Sequence, residues 1–242
     1  MPQIEEILND TAHRPYPMPK GMWAYYQEWN RALFLHWIIP EEQIRKYVPQ
    51  DLIIDSLDGN CYVSLVAFTM EKIRPRFLPA VTFLSDFDEI NMRTYIRNDE
   101  KPGVYFLNIE AGKFLSTFVA KAISGLPYEK AKMHRKHNSF FSENENKGFG
   151  LDAEYEVGQF INEKSELDKW LTERYCLYLE KGNKLYRYDI QHKEWDLNRV
   201  QFKNLHVNYK LGEMRLDVGQ IHSQHYSEGV KVVAWKRCEL NE

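Results

Sequence analysis

The sequence has little of what secreted or membrane-spanning proteins carry. It contains three cysteines, Cys61, Cys176 and Cys238, which are far apart and form no CxxC pair. An odd, scattered set of cysteines is typical of reduced thiols and argues against a disulfide framework. No run of about 18 apolar residues is present, and the acidic N-terminus has no apolar signal-peptide core. These absences predict a cytoplasmic protein that does not act at a membrane.

An excess of charge of one sign is also lacking. The 32 basic and 35 acidic residues are spread along the chain and leave a net charge of −3. Nucleic-acid binding needs a basic surface that neutralises phosphates, so we expect no nucleic-acid partner. The GxGxxG, Walker, GxSxG and HExxH motifs do not occur. Nucleotide binding and the common hydrolase mechanisms therefore have no support.

Metal-ligand motifs are present only in part. Two His-x-x-His pairs occur, at His134 and His137 and at His222 and His225. A metal site needs three or four converging ligands, and neither pair has a carboxylate or a cysteine at motif spacing. Surface or hydrogen-bonding histidines are the better interpretation. We therefore expect no metal and no other cofactor.

What the chain has in abundance is aromatic residues, which make up 14% of it. Such side chains favour the half-buried surface of a β-sheet. No internal repeat or break in composition divides the chain, so residues 1–242 are interpreted as a single domain. Residues 1–22, which are rich in proline, form its N-terminal arm. The predicted class is α+β, mostly antiparallel β with a few short helices.

Local patterns predict individual elements. Helices are expected at residues 41–47, 114–123 and 165–171, the last with a capping box. A hairpin is expected from residues 175–179 and 185–190. Pro102-Gly103 is interpreted as a turn between two strands, and the polar residues 138–150 as a loop or hairpin tip.

The most informative strand is residues 87–97. With a period of two, one of its faces carries four polar side chains: Glu89, Asn91, Arg93 and Tyr95. An arginine can hold a carboxylate with two parallel hydrogen bonds, and a glutamate or tyrosine can transfer a proton. The alternative is an ordinary antiparallel strand whose polar face lies in water. Burial of the polar face would favour a cavity, and exposure would favour the ordinary strand.

Whether the other candidate residues can reach a cavity depends on which face of the sheet they occupy. Arg31 and Arg174 are second candidates for binding an anion beside Arg93, since a guanidinium holds carboxylates better than a lysine does. His36 lies in an apolar strand, where a hydrogen-bonded core histidine is the default and a cavity-facing base the alternative. Arg174 or His192 could reach the cavity of the polar strand. The competing interpretation of that region is cross-strand packing of aromatic residues.

Short motifs in a fixed order, from about His36 to the C-terminal half, resemble one family. Among them are His36-Trp37-Ile38-Ile39-Pro40-Glu41, Glu89-Ile90-Asn91-Met92-Arg93-Thr94-Tyr95, Gly125-Leu126-Pro127-Tyr128 and Thr172-Glu173-Arg174-Tyr175. On these motifs the sequence resembles the uncharacterised YqjF-like bacterial family, a branch of the acetoacetate-decarboxylase-like superfamily. The order and spacing of the motifs make the resemblance specific.

The resemblance implies a closed, cone-shaped barrel with a ligand cavity inside. The decarboxylases have two adjacent lysines directly after a Gly-x-Pro turn, and one of them forms a Schiff base with a β-keto acid. Here Gly125-Leu126-Pro127 supplies the turn, but the two positions hold Tyr128 and Glu129. Neither can form an imine. Tyr128, Glu129 and Glu89 are therefore candidate acids or bases, with Asn91 and Tyr95 beside them for binding.

Three functions remain open at this stage. The first is an enzyme that acts on a small organic acid or carbonyl compound by general acid/base chemistry. The second is a non-catalytic protein that binds or senses a small, anionic organic acid. The third is a structural protein with a vestigial cavity, which is disfavoured because buried unpaired polar groups are costly. In each case the protein could form a homo-oligomer.

We predict that the protein forms no lysine imine with acetoacetate. The lysine next to the turn is Lys130, and its neighbour Glu129 would favour the protonated ammonium and so oppose nucleophilic attack. The measurement is mass spectrometry after treatment with acetoacetate and borohydride, in which no reduced adduct should be found. A stoichiometric adduct on Lys130 that disappears in K130A would contradict this.

Overall fold

The computed structural model describes residues 2–112 and 127–240, and fourteen of its strands belong to one sheet. The predicted helix at residues 114–123 lies outside the described residues. None of the described helices is long and apolar enough to cross a membrane. The helices are α1 (Pro2–Asn9), α2 (Glu41–Arg45), α3 (Thr82–Ser85) and α4 (Glu166–Thr172), with a 3-10 turn at Val218–Gln220.

The strands account for most of the chain. In chain order they are β1 (Tyr25–Ile38), β2 (Ile53–Ile54), β3 (Tyr62–Pro75), β4 (Phe87–Asn98), β5 (Lys101–Ala111), β6 (Glu129–Lys130), β7 (Lys132–Lys136), β8 (Ser139–Asn144), β9 (Phe149–Phe160), β10 (Cys176–Lys181), β11 (Lys184–His192), β12 (Asn198–Asn208), β13 (Lys210–Leu211), β14 (Met214–Arg215), β15 (Ser223–Ala234) and β16 (Cys238–Glu239).

Seven strands close into a barrel in the order β15-β1-β3-β4-β5-β10-β11, and β11 pairs back onto β15. Six of the seven neighbouring pairs are antiparallel, and β5 and β10 are parallel. The prediction of a closed, mostly antiparallel barrel with few short helices is confirmed. The capping box of Ser165 and Asp168 on α4 and the hairpin of β10 and β11 are confirmed as well.

An outer sheet continues from β15 through β12, β9, β8 and β7. Of the two interpretations of residues 138–150, the loop is wrong and the hairpin tip is closer, because β8 and the start of β9 pair as a hairpin around a turn at residues 145–148. On β8 the buried positions are Phe140, Ser142 and Asn144, so burial alternates although the composition is polar. The turn predicted at Pro102-Gly103 is also wrong, because both residues lie inside β5.

The barrel strands are buried on both faces, because they separate two apolar cores. Leu35, Leu65 and Met92 belong to the outer core, beneath the outer sheet. Phe34 and Val66 belong to the inner core, inside the barrel. Neighbouring residues of a strand point to opposite faces, so each strand supplies both cores in alternation.

A bulge in β1 changes which positions face the barrel interior. Arg31 has a φ of +53°, and the register between β1 and β3 shifts between Asn30 and Leu33. Trp29 before the bulge and Phe34 after it both line the interior, although they are an odd number of residues apart. Strict alternation along β1 therefore fails at Arg31, as is usual for a bulge.

The N-terminal arm packs against the barrel instead of extending from it. Ile7 and Tyr16 are buried. Arg14 donates from Nη1 to the carbonyl oxygen of Ile190 at 2.6 Å and to Oε1 of Gln191 at 2.7 Å. The arm thus holds β11 from outside the barrel.

We expect Gly103→Ala to destabilise the protein at the parallel contact of β5 and β10. An added Cβ would lie 2.6 Å from the carbonyl oxygen of Cys176 and 2.7 Å from the ring of Tyr178. Overpacking of this kind costs about 1–3 kcal/mol. Each lost kcal/mol lowers the Tm of a chain of this size by about 2–4 °C, which a thermal unfolding scan resolves.

The matched control is Gly219→Ala, where the nearest atom would be Oδ1 of Asp217 at 3.4 Å. This control should unfold within about a degree of the wild-type protein, since it makes only an ordinary van der Waals contact. Equal melting temperatures for G103A and G219A would mean that the contact of β5 and β10 accommodates the added Cβ without strain, contrary to our expectation.

Candidate functional site

A pocket of about 80 Å³ lies inside the barrel, and each of the seven barrel strands contributes to its wall. One part of the wall is aromatic, with Trp29, Phe34, Phe68 and Trp195. The other part is polar, with Glu89, Asn91, Arg93, Arg174 and His192. An apolar pocket with a few converging polar groups is the usual form of a small-molecule site.

The polar face of β4 is directed into the barrel. Glu89 is 2% exposed, Asn91 3% and Arg93 9%, and all three line the pocket. The residues between them, Ile90 and Met92, face the outer core. The interpretation of this face as an ordinary wet surface is therefore wrong, and the expected burial is confirmed.

Glu89 is held by two neighbours. Its Oε2 accepts a hydrogen bond from the Tyr128 hydroxyl at 2.8 Å, and its Oε1 accepts one from Nδ2 of Asn91 at 3.1 Å. Burial raises the pKa of Glu89 to about 7, although both hydrogen bonds and the charge of Arg93 act in the opposite direction. Burial and the nearby carboxyl also raise the pKa of Tyr128. Glu89 can therefore hold or release a proton near neutral pH.

Arg93 is a buried cation at the pocket wall. In the described part of the chain its guanidinium forms no ion pair, and its Nε has no hydrogen-bond partner. Its nearest aromatic neighbour is Phe34, whose ring centroid lies 5.9 Å from Cζ. Buried donors are almost always paired, so this N–H group is available to a ligand.

Arg174 is fixed on one side and unpaired on the other. Its Nε donates to the Trp170 carbonyl at 2.6 Å, and Nη1 lies 2.7 Å from Oδ2 of Asp55. Its guanidinium also stacks 4.1 Å from the ring centroid of Trp170. The buried Nη2 has no hydrogen-bond partner among the described residues. The geometry leaves this donor group next to the pocket.

Tyr95 and His36 lie at the end of the barrel that α4 covers. The Tyr95 hydroxyl donates to the carbonyl of Leu171 at 3.0 Å and lies 2.7 Å from Oγ of Ser64. His36 is joined to the same hydroxyl of Ser64 by Nδ1 at 2.6 Å. Neither residue is among those that line the pocket. His36 is a hydrogen-bonded core histidine, and burial, followed by the charges of His225 and Arg93, lowers its pKa well below the ordinary value.

Two other candidates are placed away from the pocket. Glu129, the first residue of β6, is not among the residues that line the pocket, and its Oε1 lies 2.7 Å from Nζ of Lys147. Arg31 lies at the bulge and reaches outward, with Nη2 donating to Oγ1 of Thr69 at 2.9 Å. The structure therefore brings neither side chain to this pocket. The side chain of Lys130 is exposed.

The sequence pattern left out several pocket residues. Alternation counted along β1 from Phe34 does not predict that Trp29 faces the pocket, because the bulge at Arg31 shifts the inward-facing positions. Thr172 reaches the pocket from the end of α4, a position that no strand pattern predicts. Arg174 and His192 were named from the sequence as candidates for the cavity of the polar strand, and both line the pocket. His192 is the last residue of β11 and lies on the same face as Ile190.

Comparison with known proteins assigns the family. Residues 26–231 match DUF2071, a family described as "Uncharacterized conserved protein". The chain belongs to this family. It is also 36% identical over 191 residues to the uncharacterized protein YqjF of Bacillus subtilis (strain 168), a match that covers 76% of this chain and 79% of YqjF. The YqjF-like resemblance seen in the motifs is confirmed.

Solved structures show how this DUF2071 member relates to other barrels. An acetoacetate decarboxylase superposes with a TM-score of 0.58 at 13% identity, covering 98% of this chain and 97% of its own. The acetoacetate decarboxylase of Legionella pneumophila gives 0.57 at 12%, with 94% and 93% covered. MppR, an enduracididine biosynthesis enzyme complexed with pyruvate, gives 0.58 at 8%, with 92% and 91% covered. At these identities the likeness shows a shared fold, the acetoacetate-decarboxylase-like barrel.

The raised pKa of Glu89 predicts a pH-dependent stability. Between the ordinary value of 4.5 and about 7, the folded protein keeps a proton that the unfolded chain has released. The free energy of unfolding of the wild-type protein, relative to Glu89→Gln, should therefore fall as the pH rises through this window and level off above it. At about 1.4 kcal/mol per pKa unit, the fall is at most about 3 kcal/mol. Urea unfolding at several pH values measures it.

The control is Glu154→Gln, which removes an exposed carboxyl on β9. Its stability relative to the wild-type protein should stay nearly constant over the same window. If E89Q behaves like E154Q, then Glu89 titrates as an ordinary solvated carboxyl.

Proposed function

We propose that this protein is a small-molecule enzyme that binds a small organic acid or carbonyl compound inside the barrel. Arg93 is the main anion-binding residue, and Glu89 with Tyr128 forms the proton-transfer pair. The reaction proceeds by general acid/base chemistry and not through a lysine Schiff base.

The observation that carries this proposal is the guanidinium of Arg93, which forms no ion pair with a described residue and whose buried Nε has no hydrogen-bond partner there. A buried charge without a partner is costly, and an anionic ligand would compensate it. A planar guanidinium matches a carboxylate with two parallel hydrogen bonds. Glu89 does not neutralise Arg93 fully, because burial raises the pKa of Glu89 to about 7. The pocket thus favours a ligand that brings its own negative charge.

The proton-transfer role rests on the contact of Glu89 with Tyr128. Their 2.8 Å hydrogen bond lies at the pocket wall, within reach of a ligand held by Arg93 on the same strand. A carboxyl that titrates near neutral pH serves both as acid and as base. Asn91 orients it from the other oxygen. The aromatic wall of Trp29 and Trp195 would keep water from the reacting atoms.

The pyruvate complex of MppR suggests the size of the ligand. MppR shares the fold, and pyruvate is a three-carbon acid with a carbonyl group. We therefore take small oxo acids as the starting ligands for this chain. The three free cysteines support a cytoplasmic location.

A non-catalytic binding protein is the second candidate. It is favoured by the Glu89 and Tyr128 contact itself, because each group already satisfies the other within the protein. A vestigial cavity has less support. Four residues at the pocket have buried polar atoms with no partner among the described residues: Asn91, Arg93, Arg174 and His192.

We expect Arg93→Lys to weaken pyruvate binding at least fivefold, because a lysine loses the paired hydrogen bonds of about 1 kcal/mol or more. Calorimetric titration measures the affinity. The control is Arg31→Lys, which changes an arginine outside the pocket and should bind pyruvate as the wild-type protein does. Unchanged affinity in R93K would remove Arg93 from the site.

A second measurement, on the wild-type protein and E89Q, distinguishes an enzyme from a binding protein. Exchange of the pyruvate methyl hydrogens in deuterated water, followed by proton NMR, reports base catalysis at the carbon next to the carbonyl group. Exchange that E89Q abolishes supports the enzyme. Binding with no exchange above the buffer rate supports the second candidate.

A further inference from the structure

His192 lies on the wall of the pocket opposite to Glu89. In the ring of strands, β11 is separated from β4 by two strands on one side and by three on the other. The imidazole is buried, and its ring centroid lies 5.6 Å from that of Trp195 and 6.2 Å from that of Trp29. The catalytic pair proposed above does not use this side chain.

The hydrogen bond of Nδ1 indicates which tautomer His192 adopts, although the carbonyl oxygen of Arg174 also interacts with the ring. Nδ1 lies 2.7 Å from the backbone carbonyl oxygen of Lys193. A carbonyl oxygen can only accept, so Nδ1 carries the proton and donates it. In the neutral ring Nε2 is then a lone-pair acceptor, and this buried atom has no hydrogen-bond partner among the described residues.

Burial keeps the ring neutral. It lowers the pKa of His192, although the charge of Glu173 and the carbonyl oxygens of Lys193 and Arg174 favour the protonated form. The charge of His13 acts in the same direction as burial. At neutral pH His192 therefore presents a hydrogen-bond acceptor, Nε2, at this wall of the pocket and is not a second cation.

A second unpaired acceptor faces the pocket from β4. The amide nitrogen of Asn91 donates to Glu89, which leaves Oδ1 of Asn91 buried and without a partner in the described part of the chain. A ligand that only accepts hydrogen bonds would satisfy Arg93 but leave Oδ1 of Asn91 and Nε2 of His192 unpaired. Unpaired buried acceptors weaken binding, so both atoms select for a ligand with a donor.

We infer that the ligand of this pocket carries a hydroxyl group beside its carboxylate, and that Nε2 of His192 accepts the hydrogen of that hydroxyl. This inference rests on the proposed function, in which Arg93 holds the carboxylate. It names the substrate class as small hydroxy acids, or oxo acids in their enol form. The strands place the two recognition groups on opposite walls, so the ligand spans the pocket between them.

The experiment compares three acids that differ at one carbon: 2-hydroxybutanoate, 2-oxobutanoate and butanoate. Calorimetric titration of the wild-type protein should show that one enantiomer of the hydroxy acid binds about tenfold or more tightly than the other two acids. His192→Phe should keep the affinity for butanoate and lose the preference. The control His206→Phe changes an exposed histidine on β12 and should keep the preference.

A long-range proton–nitrogen NMR spectrum of the wild-type protein reads the tautomer directly, whether or not H192F folds. A proton on Nε2, directed at the Arg174 carbonyl, would overturn the inference. Equal binding of all three acids, weakened in R93K, would overturn it and leave the proposed anion site standing. No binding of any of the acids or of pyruvate would contradict both this inference and the proposed anion site.

Discussion

A ring of strands can close only if the strand directions agree when the last strand meets the first. With seven strands, antiparallel contacts alone cannot satisfy this condition, and at least one neighbouring pair must be parallel. Here that pair is β5 and β10, which share only two residue pairs, Leu177 with Val104 and Tyr178 with Tyr105. Parallel neighbours need a long crossover connection. The chain between β5 and β10 is that crossover, and it contains the described strands β6 to β9 and helix α4.

The crossover supplies parts of the pocket that the barrel strands cannot. Tyr128 enters the barrel where the crossover leaves β5, and Arg174 enters where it returns to β10. Between these points lie β7, β8 and β9, which with β12 form the outer sheet that covers the outward face of the barrel strands. Because both faces of β4 are then buried, its polar residues can be turned inward without exposing its apolar ones. The electrostatic character of the pocket thus depends on a connection that the odd number of strands requires.

Strand alternation and turn chemistry predicted the parts of this molecule that depend on local rules. The polar strip on β4, the capping box of α4 and the hairpin of β10 and β11 follow directly from period and spacing. The family motifs predicted the closed barrel. Strand β8 was missed because its buried face also carries polar residues, Ser142 and Asn144, so the composition does not distinguish buried from exposed positions. Arg31 was misplaced because a positive φ angle, invisible in the residue sequence, reverses the face of β1. Glu129 was misplaced because a two-residue strand, β6, gives no periodicity to read.

The N-terminal arm has a consequence for how related proteins can differ. It joins β11 directly, since Arg14 donates to the carbonyl oxygen of Ile190 and Nε2 of His13 lies 3.0 Å from the carbonyl oxygen of His192. The family match begins at residue 26, so these contacts lie outside the region that the family match covers. Relatives that keep the barrel but carry a different leading segment would hold the His192 wall by other contacts. Under the proposed role of His192, a change at the start of the chain would alter this wall of the pocket from a position far along the sequence from it.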